Sequence, residues 1–193
     1  MGGECIVGVV PFAYYGRLSR RDRAIYDRSD AVASIVLPQA EGMRPLVGIL
    51  REGLTRDDRG VVEAAAQTLC RAITESLQVP SVGVAVLAVR PRLRAAGELH
   101  GLYTSDEGKP PRIRVWMRTV QLKRVVAFKT FLRTLLHEVC HHLDYTHLGL
   151  ADSFHTQGFF QRESSLFYQL VPRETPGEET PGRGRGPGAR SGD

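Results

Sequence analysis

The stretch from Val125 to Tyr145 constrains this chain most. Val125, Val126, Phe128, Phe131, Leu132, Leu135, Leu136, Val139 and Leu143 recur at helical spacing, so the stretch predicts a long helix running through the core. Yet the same helix carries His137-Glu138-Val139-Cys140-His141. Polar groups taken into a core need partners, and five of the six histidines fall between positions 137 and 155. A fold built around this helix must bring those groups to a common purpose.

Two histidines four residues apart on a helix project from nearly the same face and reach one zinc ion. Glu138, beside the first, stands where a carboxylate takes a proton from a zinc-activated water. This pattern predicts a zinc-dependent hydrolase with Zn2+ as cofactor, His137 and His141 as metal ligands and Glu138 as general base. Such a site needs a third protein ligand and an open fourth position. Three residues compete for that role. His147 gives a spacing like that of the metzincins, although Asp144 stands where their turn glycine belongs and every methionine lies upstream. Glu163 would supply a carboxylate from the following helix. His155 lies in Ser153-Phe154-His155-Thr156-Gln157-Gly158-Phe159, where that helix should begin.

A zinc-binding His-Glu-x-x-His helix, a short loop, and a histidine followed four residues later by phenylalanine resemble the SprT-like zinc metallopeptidases, over roughly Phe128 to Leu170. The resemblance implies zinc ligands at His137, His141 and His155, a catalytic base at Glu138 and a packing aromatic at Phe159. It also implies an α+β, zincin-like fold, in which a small mixed sheet is flanked by helices around the central active-site helix. A peptide or protein substrate is the implied partner.

Other polar residues near the motif have plainer expectations. His142 lies about 100° round the helix from His141, outside the ligand pair. Asp144 and Asp152 could orient a ligand's second nitrogen or sit at helix ends, with capping expected for Asp152. Arg162 falls on the His155 side of its helix, fit to stabilise an oxyanion or to pair with Glu138 or Asp144. Tyr103 and Tyr145 could polarise a carbonyl, Cys140 is expected in the core, and His100 lies on a strand that could edge a cleft.

The rest of the chain sets the frame. Residues 1–80 are expected to form an N-terminal helical layer, with one helix capped by Ser19 and continuing toward Val36, and another from Arg59 to Leu77. Val82 to Val89 reads as a buried strand. Glu98 to Thr104 and Arg112 to Met117 read as a hairpin, with Ile113, Val115 and Met117 on one face and Arg112, Arg114 and Trp116 on the other. Residues 81–171 make the metal-binding core, packed with 1–80 as one domain, and 172–193 is a Pro, Gly and Arg tail too poor in apolar residues to order. Cys5, Cys70 and Cys140 form no CxxC pair, which predicts a reducing compartment and no four-cysteine zinc ribbon. No apolar run is long enough for a membrane span and no secretory signal is recognisable, so a cytoplasmic location is expected. The net charge is +5, and Lys109 to Arg133 holds eight basic residues and no acid. That stretch leaves a second reading open, a nucleic-acid-binding or partner-binding module whose zinc is structural.

Overall fold

The computed structural model describes residues 12–172 except 90, 94–96 and 99. Most of the expected tail, 173–193, and the N-terminal residues that include Cys5 lie outside the described residues. Among the described residues the architecture is α+β: five α-helices and a three-stranded mixed sheet.

The N-terminal helices form where sequence and tertiary bonding agree. Ser19 caps α1 (Arg20–Asp30), its hydroxyl accepting from the Asp22 amide at 3.1 Å. The helix does not continue toward Val36. The Arg162 guanidinium takes the carbonyls of Ser29 and Val32, and Gln169 donates to Ile35 and accepts from the Leu37 amide. These bonds satisfy an extended backbone, and Pro38 disfavours a helical residue before it. A second helix, α2 (Ala40–Thr55), was not expected, because Pro45 and three glycines hide it; its Met43, Val47, Leu50 and Leu54 are nonetheless buried on one face. In α3 (Arg59–Ser76), Asp58 caps the first turn, and the buried stripe begins at Val62, leaving Val61 exposed.

The sheet order is β1-β5-β4. The strand β1 (Gly83–Val89) runs parallel to β5 (Arg112–Arg118), and β4 (Gly101–Thr104) runs antiparallel to it, with Gly101 opposite Val115 and Tyr103 opposite Ile113. Between them a two-residue ladder joins β2 (Arg92–Leu93) to β3 (Gly97–Glu98), a piece the sequence does not announce. The expected alternation holds on β5: Ile113, Val115 and Met117 are buried while Arg112 and Arg114 are exposed. Trp116 departs from it, being buried as well.

The long helix α4 (Phe128–Thr146) starts three residues later than expected. Val126 instead donates its amide to Met117 and Val125 bridges to Arg118, so this pair extends the sheet edge. Along α4, Phe131, Leu132, Leu135, Leu136, Val139, Cys140 and Leu143 are buried. Thr156 caps α5 (Gln157–Leu170) by accepting from the Phe159 amide at 3.0 Å, so the capping expected of Asp152 belongs to Thr156. One apolar cluster draws on residues from Ile35 to Leu170.

At the start of α5 the backbone meets α1 directly. A Cβ on Gly158 would lie 2.8 Å from the Asp30 Cα, and the Gly158 amide donates to Asp30 Oδ1 at 2.8 Å. Gly158→Ala is therefore expected to cost about 2 kcal/mol by overpacking, read as a lower urea midpoint with unchanged slope. An unaltered midpoint would show that α1 and α5 separate without cost.

Candidate metal centre

At 3.6 residues per turn, the four-residue spacing sets His137 and His141 on nearly the same stripe of α4. The third histidine comes from the loop that the α5 cap terminates. His155 Nε2 lies 3.0 Å from His137 Nε2 and 3.1 Å from His141 Nε2, and the three rings are close enough to bind one metal ion. Zinc bonded to imidazole nitrogens at 2.0–2.1 Å in a tetrahedron holds them about 3.3 Å apart, so the spacing fits. Phe159 forms the floor, its buried ring 4.8 to 5.1 Å from all three imidazoles.

The outer nitrogens decide where the protons sit. His137 Nδ1 faces the Glu163 carboxylate at 3.2 Å. His141 Nδ1 faces the Ser153 hydroxyl at 2.7 Å, and that hydroxyl itself donates to Asp144 at 2.7 Å. Both Nδ1 positions thus meet acceptors and keep the proton, leaving the Nε2 lone pairs turned inward. Burial, reinforced by His137 and His155, pushes the His141 imidazole down to about 3, and burial lowers His155 as well. Neutral imidazoles are the metal-binding form.

Glu163 therefore stands behind His137 rather than among the converging nitrogens, and is also bonded to Arg133 at 3.2 Å. His147 is the exposed residue that ends α4 and does not join the cluster. Arg162 is fully buried, bonded to Asp144 at 2.8 Å and to Ser29 and Val32. Of its expected roles, the pairing with Asp144 is present. His142 is buried away from the triad, with Nε2 at 2.7 Å from the Pro80 carbonyl and Nδ1 at 3.2 Å from the Tyr103 hydroxyl. Cys140 lies in the core, where burial raises its thiol. Asp152 accepts from the Tyr145 hydroxyl and the Ser153 amide. Ser153 was missed by sequence reasoning, and no pattern distinguishes a hydroxyl two residues before a ligand from any other loop serine.

Glu138 is nearly buried beside the triad, and burial, outweighing the neighbouring His137 and the Tyr103 amide, raises its carboxyl to about 7. The edge strand β4 presses on it: a Cβ on Gly101 would stand 2.8 Å from the Glu138 Cδ. A side chain at position 101 would have to push the carboxylate out of this place. Two hollows meet at this point. One of about 430 Å³ is lined by His100, Gly101, Arg133, Thr134, His137, Glu138 and Glu163. Another of about 340 Å³ extends toward Tyr103, Tyr145, Ser153 and His155. Gly101, His137 and Glu138 line both, so an open trough passes over Glu138 along β4. Comparison with known proteins finds no matching family model, curated protein or solved structure.

Two outcomes are expected. Zinc titration by calorimetry should show one site in the native chain and in His147→Ala, no comparable site in His155→Ala, and 10- to 100-fold weaker binding in Glu163→Gln, about the cost of losing an outer-shell partner. A Glu163 variant as deficient as His155→Ala would make Glu163 a ligand. In chelated protein, the folded state holds the Glu138 proton up to about pH 7, whereas the unfolded chain releases it near 4.5. The stabilisation from that proton is full below pH 4.5 and lost as the pH rises through 7. Glu138→Gln cannot ionise, so it should raise the unfolding free energy at pH 8 by about 2 kcal/mol and lose that advantage near pH 4.5. Equal effects at both pH values would mean that the carboxylate is solvated.

Proposed function

We propose that this chain is a zinc-dependent hydrolase, a metallopeptidase of SprT-like character on a zincin-like scaffold. The observation that carries the reading is the buried Glu138 carboxylate set beside three converging imidazoles at the floor of an open trough. His137, His141 and His155 would hold the metal. Bound there, zinc supplies Lewis-acid activation of a water and of the scissile carbonyl.

The chain's own residues do the rest. Glu138, raised toward neutrality by burial, takes the proton the attacking water gives up and later passes it to the leaving amine. Gly101 lets β4 approach closely enough to hold that carboxylate in place. The Tyr103 amide bonds the carboxylate, while the Tyr103 hydroxyl is held by His142 and its ring lies 6.0 Å from the Tyr145 ring as a wall of the trough. An extended peptide suits a trough bounded by an edge strand, because its backbone can pair with β4 while its side chains alternate between hollows. Glu163 and the Ser153–Asp144 pair fix the two helix-borne imidazoles from behind.

The alternative, a structural zinc in a nucleic-acid-binding module, draws on the exposed Arg112 and Arg114. It needs a closed fourth position, whereas the cluster among the described residues comprises three ligands facing a trough. No helix among the described residues is long and apolar enough to cross a membrane.

The deciding experiment incubates zinc-loaded protein with unfolded protein and peptide substrates. Cleavage is expected in the native chain, with Glu138→Gln retaining its zinc and losing activity by about 10²- to 10⁴-fold. A Glu138→Gln protein as active as the native one, or a zinc-loaded native chain that hydrolyses nothing, would sink the reading.

A further inference from the structure

Arg133, His137 and His141 follow one another at four-residue intervals on α4, so they share a stripe facing the trough. Arg133 stands one turn before His137, about 6 Å along the axis, and lines the larger hollow with Thr134, Glu138 and Glu163. We propose that this hollow selects the substrate: Arg133 receives a carboxylate of the bound peptide, carried on an acidic side chain or a chain end close to the cleaved bond. The proposal rests on the metallopeptidase reading above and deepens it.

The guanidinium is held in place without being used up. It lies 4.3 Å over the Phe167 ring and 5.8 Å from that of Tyr168, contacts that fix its position while leaving its edge free. Among the described residues its hydrogen bond is one, from Nη1 to Glu163 Oε1. A guanidinium carries five donors in a planar fork suited to a carboxylate, and this side chain keeps about a third of its surface exposed.

Glu163 offsets the guanidinium only in part, because it shares its charge with His137 through its other oxygen. With a divalent ion in the triad, Arg133 and the ion together exceed Glu138 and Glu163 by one positive charge, so the hollow attracts an anion and repels a lysine or arginine side chain. The hollow of about 430 Å³ accommodates an acidic side chain beside the reacting centre.

If Arg133 only propped Glu163 against His137, its loss would weaken metal binding and leave selectivity untouched. The test separates these. Zinc-loaded Glu138→Gln protein serves as a trap for a peptide library with amidated ends and varied internal residues, alongside a second library with free carboxyl ends; the native chain is given the same libraries for cleavage. Metal content is measured throughout.

Retention of Asp or Glu peptides over their Asn or Gln counterparts by about tenfold or more is expected, the scale of one charge-assisted pair. The library that shows it tells an internal acid from a terminal carboxylate. In the trap background Arg133→Lys should keep a preference, and Arg133→Glu should reverse it toward lysine peptides. Cleavage by the native chain with no acidic preference overturns the proposal while the peptidase reading stands. Retention of acidic peptides that the native chain never cleaves supports the carboxylate hollow and overturns the peptidase reading. Neither retention nor cleavage overturns both.

Discussion

The ion pair between Arg162 and Asp144 ties α4 and α5 to the end of α1. Both side chains are fully buried and 2.8 Å apart. Removing two charges from water costs several kcal/mol per ion, and a buried pair recovers this only when its remaining donors and acceptors are also met. Here they nearly are: Arg162 donates to Ser29 and Val32, and Asp144 accepts from Ser153. The guanidinium thereby ends α1, locks α5 to α4 and, through Asp144 and Ser153, sets the ring of His141. Its Nε alone finds no acceptor. A geometry held by a charge that cannot leave without stranding its partner is stiff, and stiffness is what a three-ligand site requires.

A second constraint works from the other side of α4. One face of the helix supplies the core, and the opposite face bears Arg133, His137, Glu138 and His141. The sheet must then approach the polar face closely enough to bury Glu138 without covering the triad. Glycine at position 101 meets that condition, since any side chain there would occupy the carboxylate's space. The same closeness raises the carboxyl toward neutrality. Packing and proton affinity are thus two consequences of one backbone approach.

Legibility in the sequence followed the range of the interactions. His137, Glu138 and His141 could be placed on one helix face because helical periodicity is local. Ser19 as a cap and the burial of Ile113, Val115 and Met117 were readable for the same reason. His155 was reached through resemblance alone, since a loop residue carries no periodicity. The places where local reasoning erred are those where distant groups decide. Arg162 and Gln169, well over a hundred residues away, end α1 and draw the following segment out straight; the Met117 carbonyl holds Val126 out of α4; and α2 forms despite Pro45 because its apolar face has α3 to pack on. Glu163 and Ser153 are the instructive cases at the site. Glu163 has the chemistry of a ligand, and only the side of His137 on which it lies makes it a support.

The arrangement of protons carries the metal reading further than proximity does. Apposed nitrogens 3.0 to 3.1 Å apart need either a proton or a cation between them. The Nδ1 protons of His137 and His141 are committed to Glu163 and Ser153, so their Nε2 atoms bring lone pairs only. A single proton on His155 Nε2 would have to serve both neighbours at once, leaving one contact repulsive. Protonating His141 or His155 is no remedy, because burial opposes the charge there and holds His141 down to about 3. A cation bound by all three nitrogens would resolve these contacts together. The free energy of binding such an ion would add to the stability of the fold that preforms the site, and the buried ion pair behind His141, acting through Ser153, holds that ring in place.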